Sequence, residues 1–180
     1  MKIGLLRHAK VIHQKFFFSN GKIFNESKIH YNNSPVELIE LKIKAQDFPL
    51  CYVSSQYRAV ETAKMVYNGQ FIITDELIEV PSAAIFFINV HLPSFLRNII
   101  GRIAWFMNFK EMPETRKKST ERASRFVNFI LQEKSQNILL ITHGFFMHSL
   151  KKELKKNGFK GHLPLFPDNG FLYLFEKKSK

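Results

Sequence analysis

An α/β fold of three layers, with helices on both faces of a mostly parallel central sheet, is predicted by three features of the sequence. Five short apolar runs with strand character recur along the chain, helical patterns separate most of them, and three of the runs stop at residues suited to bind or attack an anion. Open α/β sheets build their sites where strands end, so these stops are read as one site.

Each element follows in order. "KIGLLRH" is a buried strand that delivers Arg7 and His8 side by side as it leaves the sheet. A helical pattern covers about 35–47, after Ser34-Pro35. "LCYVSS" is the second strand, closed by Ser54 and Ser55, and Ser55 is placed as the N-cap of a helix over about 56–68, with Arg58 in its first turn pointing back to the sheet edge. "FIITDEL" is the third strand. "AAIFFINVHLPSFLRNIIGRIAWFMNF" is strongly apolar, yet His91, Pro93, Arg97 and Arg102 interrupt it, and no uninterrupted apolar run reaches the roughly 20 residues that span a bilayer. From Ser94 it reads as an amphipathic helix to about 108, with Arg97, Asn98, Gly101, Arg102 and Asn108 on one side and Phe95, Leu96, Ile99, Ile100, Ile103 and Phe106 on the other. Helices over about 115–134 and 145–157 flank the fourth strand, "NILLITH", which ends at His143, and "GFLYLFEK" is the fifth. Gly69 and Gly158 are natural stops for the helices before them.

The chain of 180 residues has the size of one domain and shows no repeat, low-complexity tract or linker, so residues 1–180 are read as a single unit. The lone cysteine, Cys51, forms no internal disulfide, and no leader pattern opens the chain, which makes a reducing, cytoplasmic setting the expectation. A formal net charge of +12 suits nucleic acid, an anionic membrane or an anionic substrate, and does not choose among them. Much of it lies in solvated runs such as "LKKELKKNG".

Taken singly, Arg7 could be an ion-pair partner, His8 or His143 a hydrogen-bonded core histidine, and Arg58 a solvated helix charge. Together, at successive strand ends, they bring phosphate-seeking groups to one edge. The helix that starts near Gly144 adds backbone N–H donors suited to an anion.

In "LLRHAK", "SSQYRAVETA" and "ITHGFF" the chain resembles the histidine phosphatase superfamily, in its phosphoglycerate-mutase-like branch. "NNSPVELIELKIKAQ" looks like that family's first helix, "DELIEVP" like the segment carrying its acidic residue, and "ETRKKSTERASRFVNFIL" like the helix before the last motif. The segment from about 84 to 109 corresponds to the family's variable insertion, read here as an apolar cap over the pocket or a face packed on a second subunit. Ala9 stands where the family most often has Gly, Val11 replaces Thr or Ser, and Gln14 falls where many members have an Asn reaching the phosphate.

The resemblance implies a metal-independent phosphatase without cofactor, acting on a small phosphorylated metabolite or a phosphoprotein; His8, His13, His143 and His148 form no zinc pattern. His8 is the expected nucleophile, with Arg7, Arg58, His143 and Gln14 around the phosphate. Glu79 is the expected proton donor, with Glu76 as its competitor. The short chain favours hydrolysis over mutase-type transfer. A non-catalytic binding protein on the same fold, peripheral contact with a membrane and a homodimer are carried as alternatives; nucleic acid is not an expected partner.

Overall fold

Each of the five apolar runs folds as the strand expected of it, because local alternation and β-branched residues suffice to specify a short strand. The computed structural model describes residues 1–13, 18–81, 90–133 and 137–178. In chain order the elements are β1 (Lys2–Arg7), β2 (Phe18–Ser19), α1 (Gly21–Asn33), β3 (Leu50–Ser54), α2 (Tyr57–Val66), β4 (Ile72–Thr74), β5 (Leu92–Pro93), α3 (Ser94–Phe106), α4 (Arg116–Ile130), β6 (Ile138–Thr142), α5 (Phe146–Lys156), β7 (Lys160–Gly161) and β8 (Leu172–Glu176).

The main sheet has the order β4-β3-β6-β1-β8-β7. Strands β4, β3, β6 and β1 pair in parallel, and β8 and β7 close the sheet antiparallel. Side chains alternate between its faces. Ile3, Leu5 and Leu140 pack with Phe126 of α4 and Phe146 and Leu150 of α5. Leu6, Val53 and Ile141 pack on the opposite face with Ala59, Ala63 and Val66 of α2. The central strands β1, β3 and β6 are covered on both sides, as near-continuous apolar strands require. Cys51 belongs to the second cluster, and burial pushes its thiol up to about 12.

The helix expected over 35–47 is absent. Residues 36–45 run extended, bridging Val11 to Val36 and Ile43 to Tyr67. Ile39, Leu41, Ile43 and Ala45 turn to the sheet, while Glu40, Lys42 and Lys44 are exposed on the outer side. That period of two, in a segment rich in β-branched and charged residues, defeats the helical pattern. The helix lies instead at Gly21–Asn33, where the Asn20 side chain caps it by accepting from the Ile23 N–H at 2.9 Å. Ser55 does not cap α2 either. Gln56 is its N-cap, and the Ser55 hydroxyl bonds to Asp75. Gly158, at φ +85°, terminates α5 as expected, whereas α2 ends at Tyr67 before Gly69 is reached.

Candidate active site

Strands β1, β3 and β6 end beside one another, and their last residues build the site. Arg7 pairs with Thr142 in the β1–β6 ladder, so the next residue on each strand is a histidine, His8 and His143. Their ring centroids lie 5.0 Å apart. His8 Nδ1 donates to the Ala9 carbonyl at 2.6 Å, and Arg58 Nε donates to His8 Nε2 at 3.2 Å. A carbonyl only accepts and a guanidinium only donates, so the hydrogen sits on Nδ1 and the lone pair on Nε2. Burial, then Arg58 and Arg7, hold the His8 pKa down to about 3, and the imidazole is neutral at pH 7.

Arg58 is fixed on every side. Its Nη1 donates to Asn32 Oδ1 at 2.8 Å, its Nη2 to Gln56 Oε1 at 2.6 Å, and its guanidinium lies 5.2 Å from the Tyr31 ring. Arg7 donates from Nη1 to the Pro167 carbonyl, while its buried Nε has no partner among the described residues. Gly144 makes room for it: a Cβ there would stand 2.9 Å from Arg7 Nε. His143 is fully buried behind His8, with Nε2 2.8 Å from Ser54 Oγ and Nδ1 without a partner among the described residues. Burial and the neighbouring His8 and arginines push its pKa well down. Ser54, which closes β3, thus supports the second histidine.

Glu79 and Glu76 separate cleanly. The backbone N–H groups of Phe145 and Phe146 donate to the Glu79 carboxylate at 3.2 and 3.0 Å, and its own Val80 N–H adds a third contact at 2.9 Å. The N–H donors expected to be free at the start of α5 are therefore taken up by the protein's own Glu79 carboxyl group. Glu76 faces Arg125 at 3.7 Å instead and does not line the pocket. Arg122 sets the turn between them. It donates to the Glu76 and Ile78 carbonyls at 2.8 and 2.9 Å while its other edge grips Glu114.

The pocket, of about 400 Å³, is lined by Arg7, His8, Arg58 and Glu79, and by two cations that the sequence reading did not place there, Lys28 and Arg102. Lys28 comes from α1, bonds Asn98 at 3.2 Å, and has its pKa lowered to about 8 by burial, with Arg102 adding to the shift and Glu79 opposing it. Arg102 comes from α3, with its guanidinium 3.7 Å from the Phe145 ring and burial lowering its pKa. Tyr31 and Asn32 were missed with α1. Asn20 as a cap, followed by Phe24, Lys28 and Tyr31 at helical spacing, was the signal available for them. Gln14 and residues 84–89 of the expected insertion lie outside the described residues. Ala9 keeps a negative or extended φ, so its departure from Gly carries no strain.

The apolar insertion helix sits in the opposite sense to a cap that turns its oily side inward. Arg97 and Gly101 are buried and Arg102 faces the pocket, while Phe95, Ile99, Ile103 and Phe106 are exposed. Trp105 is part of the core, with Nε1 donating to Ser119 Oγ at 3.1 Å. No helix among the described residues is long and apolar enough to cross a membrane.

Comparison with known proteins gives a consistent picture. The model of the histidine phosphatase superfamily (branch 1) matches residues 36–177. No curated protein sequence matches the chain. Among solved structures, the fold is similar to phosphoserine phosphatase from Entamoeba histolytica, solved with 3-phosphoglyceric acid, at TM-score 0.56 and 12% identity, covering 96% of this chain and 89% of that one. A mycobacterial glucosyl-3-phosphoglycerate phosphatase aligns at TM-score 0.57 and 15% identity, covering 96% and 88%. The alpha-ribazole phosphatase of Shigella flexneri aligns at TM-score 0.56 and 18% identity, covering 97% and 89%.

Proposed function

The chain belongs to the histidine phosphatase superfamily, branch 1, and from that premise we propose that it is a phosphatase that hydrolyses a phosphate monoester through a phosphohistidine on His8. One observation carries the reading: a neutral His8, its Nε2 lone pair held by Arg58, opens on a pocket lined by Arg7, Arg58, Lys28 and Arg102.

In the first step Nε2 attacks phosphorus and the bond to the ester oxygen breaks. The arginines balance the charge on the equatorial oxygens. His8 Nδ1–H stays on the Ala9 carbonyl, which orients the ring as positive charge develops. Glu79, entering the step as the carboxylic acid, gives its proton to the leaving oxygen, which departs as the alcohol. Water then attacks the phosphohistidine, Glu79 recovers the proton, and inorganic phosphate leaves with His8 neutral again. His143, packed behind His8, stiffens this arrangement and offers its Nδ1 to the phosphate once the pocket fills.

The test is turnover of p-nitrophenyl phosphate, which should continue in chelator and vanish in His8→Ala, with acid-labile, base-stable phosphate trapped on His8 in the wild type. Retained turnover in His8→Ala would overturn the mechanism. Phosphate returned mainly to a second alcohol rather than to water would identify a mutase. Tight binding without turnover would identify a phospho-ligand binding protein.

A further inference from the structure

The outer face of α3 is unusual for a helix packed beside a polar site. Phe95, Ile99, Ile103 and Phe106 form a stripe at helical spacing, exposed at 60%, 48%, 53% and 58%, and Met107 extends it at 63%. Such a contiguous apolar surface marks an interaction site. The stripe carries no acidic residue within Ser94–Phe106, and the two arginines of the helix are turned inward. The chain leaving the helix adds Lys110, Arg116, Lys117 and Lys118 against Glu111 and Glu114, and Glu114 is already neutralised by Arg122. The Arg116 guanidinium lies 4.3 Å from the Phe106 ring, so positive charge borders the stripe directly.

Along the stripe, sharing Ile99, Ile103 and Phe106 with it, runs an open apolar groove of about 460 Å³ between α3 and the start of α5, completed by Trp105 and Phe145. Arg102 lines both this groove and the catalytic pocket. It stands between them with its guanidinium against the Phe145 ring and Nη1 donating to the Val80 carbonyl at 3.3 Å. Phosphate-seeking cations and a hydrocarbon-lined trough thus meet at one side chain. A ligand long enough to use both would place its phosphate by His8 and its apolar part in the groove between α3 and Phe145.

We propose that α3 docks the protein on an anionic bilayer through its exposed stripe, and that the adjoining groove takes the hydrocarbon chain of a lipid-like phosphate monoester, whose phosphate reaches His8. The inference rests on the phosphatase reading above; its products are the long-chain alcohol and inorganic phosphate. A second copy of the chain is the competing occupant, but it brings a net charge of +12 against another +12, whereas an anionic bilayer meets that charge with its opposite. An apolar stripe bordered by cations and continuous with the site suits a surface from which the substrate itself is drawn.

Two measurements on the intact protein test this. Co-sedimentation with phosphatidylcholine vesicles should be weak, should rise when phosphatidylglycerol is included, and should fall with added salt. Phe95→Ser with Met107→Ser, which touches neither groove nor pocket, should cut vesicle binding by roughly tenfold or more while p-nitrophenyl phosphate turnover and melting temperature stay at wild-type values. In a series of alkyl phosphates from butyl to dodecyl, kcat/KM should climb by roughly two- to fourfold per methylene until the groove is filled. Ile103→Asp should flatten that climb. Absence of sedimentation with phosphatidylglycerol vesicles, a flat chain-length series, or a dimer dispersed by the Phe95/Met107 substitutions would each overturn the proposal, while His8-dependent turnover of nitrophenyl phosphate would leave the phosphatase reading standing. No turnover of any monoester would overturn both.

Discussion

Lys28 is a cation whose charge is balanced close to working pH. Burial and Arg102 bring its pKa down to about 8, so it loses its proton as the solution becomes mildly alkaline. Because kcat/KM reports ionisations of the free enzyme, its alkaline limb should have a midpoint near that value. Lys28→Arg keeps the charge throughout and should move the limb upward. A limb unchanged in Lys28→Arg would remove Lys28 from substrate binding. Glu79 makes a separate prediction at this scale. Glu79→Gln should cost alkyl phosphates on the order of 10²- to 10⁴-fold in kcat, yet spare nitrophenyl phosphate, whose leaving oxygen needs little help. Glu76→Gln, facing Arg125 outside the pocket, should affect neither substrate. Equal losses on both substrates in Glu79→Gln would reassign the residue to holding the start of α5.

At the scale of elements, α3 does two jobs with two faces. Trp105 is 9% exposed, stacks edge-on with Phe145 at 4.7 Å and bonds Ser119, so it ties α3 to α4 and α5. Its neighbour Phe106 is 58% exposed. Trp105→Ala should therefore destabilise the fold by about 3–5 kcal/mol, and Phe106→Ala by no more than about 0.5 kcal/mol. Chemical denaturation with both variants checks the pair. Similar losses for the two would mean that the stripe is covered in solution. The polar inward face has its own logic. Buried Arg97 donates to the Val90 carbonyl and Arg102 to that of Val80, so neither guanidinium enters the interior without an acceptor.

For the molecule as a whole, two histidines buried in the neutral state set how stability responds to acid. The pKa of His8 is about 3 when folded and near 6.5 when exposed, and that of His143 is lowered in the same direction. Between those limits the unfolded chain binds more protons than the folded one. Stability should therefore fall as pH drops below about 6.5, and the His8 contribution should stop falling only near 3. His8→Asn should flatten this slope by up to ~1.4 kcal/mol per pH unit, read from denaturant midpoints between neutral and mildly acid pH. An unchanged slope would mean that His8 takes up protons freely in the folded state. Inorganic phosphate, expected to bind the folded state alone, should raise the melting temperature by an amount that grows with the logarithm of one plus the ratio of phosphate concentration to Kd.

What the sequence determined by itself is local: five strands, four of the five α-helices among the described residues, and the placing of Arg7, His8 and His143 at strand ends and of Arg58 in the helical turn after one. Strand runs such as "ILLIT" are specified by neighbours along the chain, and a parallel sheet then brings their ends to one edge whatever else folds around them. Tertiary structure alone decided the rest. The segment 36–45 has apolar residues that satisfy a helix or a strand on paper, and packing against α2 and the sheet selects the extended form. Asn- and Lys-rich α1 has little apolar signal of its own, and it is ordered around Arg58, which Asn32 and Tyr31 hold. Glu79 was visible as a candidate, but its seat on the Phe145 and Phe146 N–H groups depends on α5 arriving beside it. The two faces of α3 were legible in its periodicity. Which face points inward was not, because amphipathicity records that two faces differ, and only the carbonyls and pocket waiting for Arg97 and Arg102 turn the polar one toward the protein.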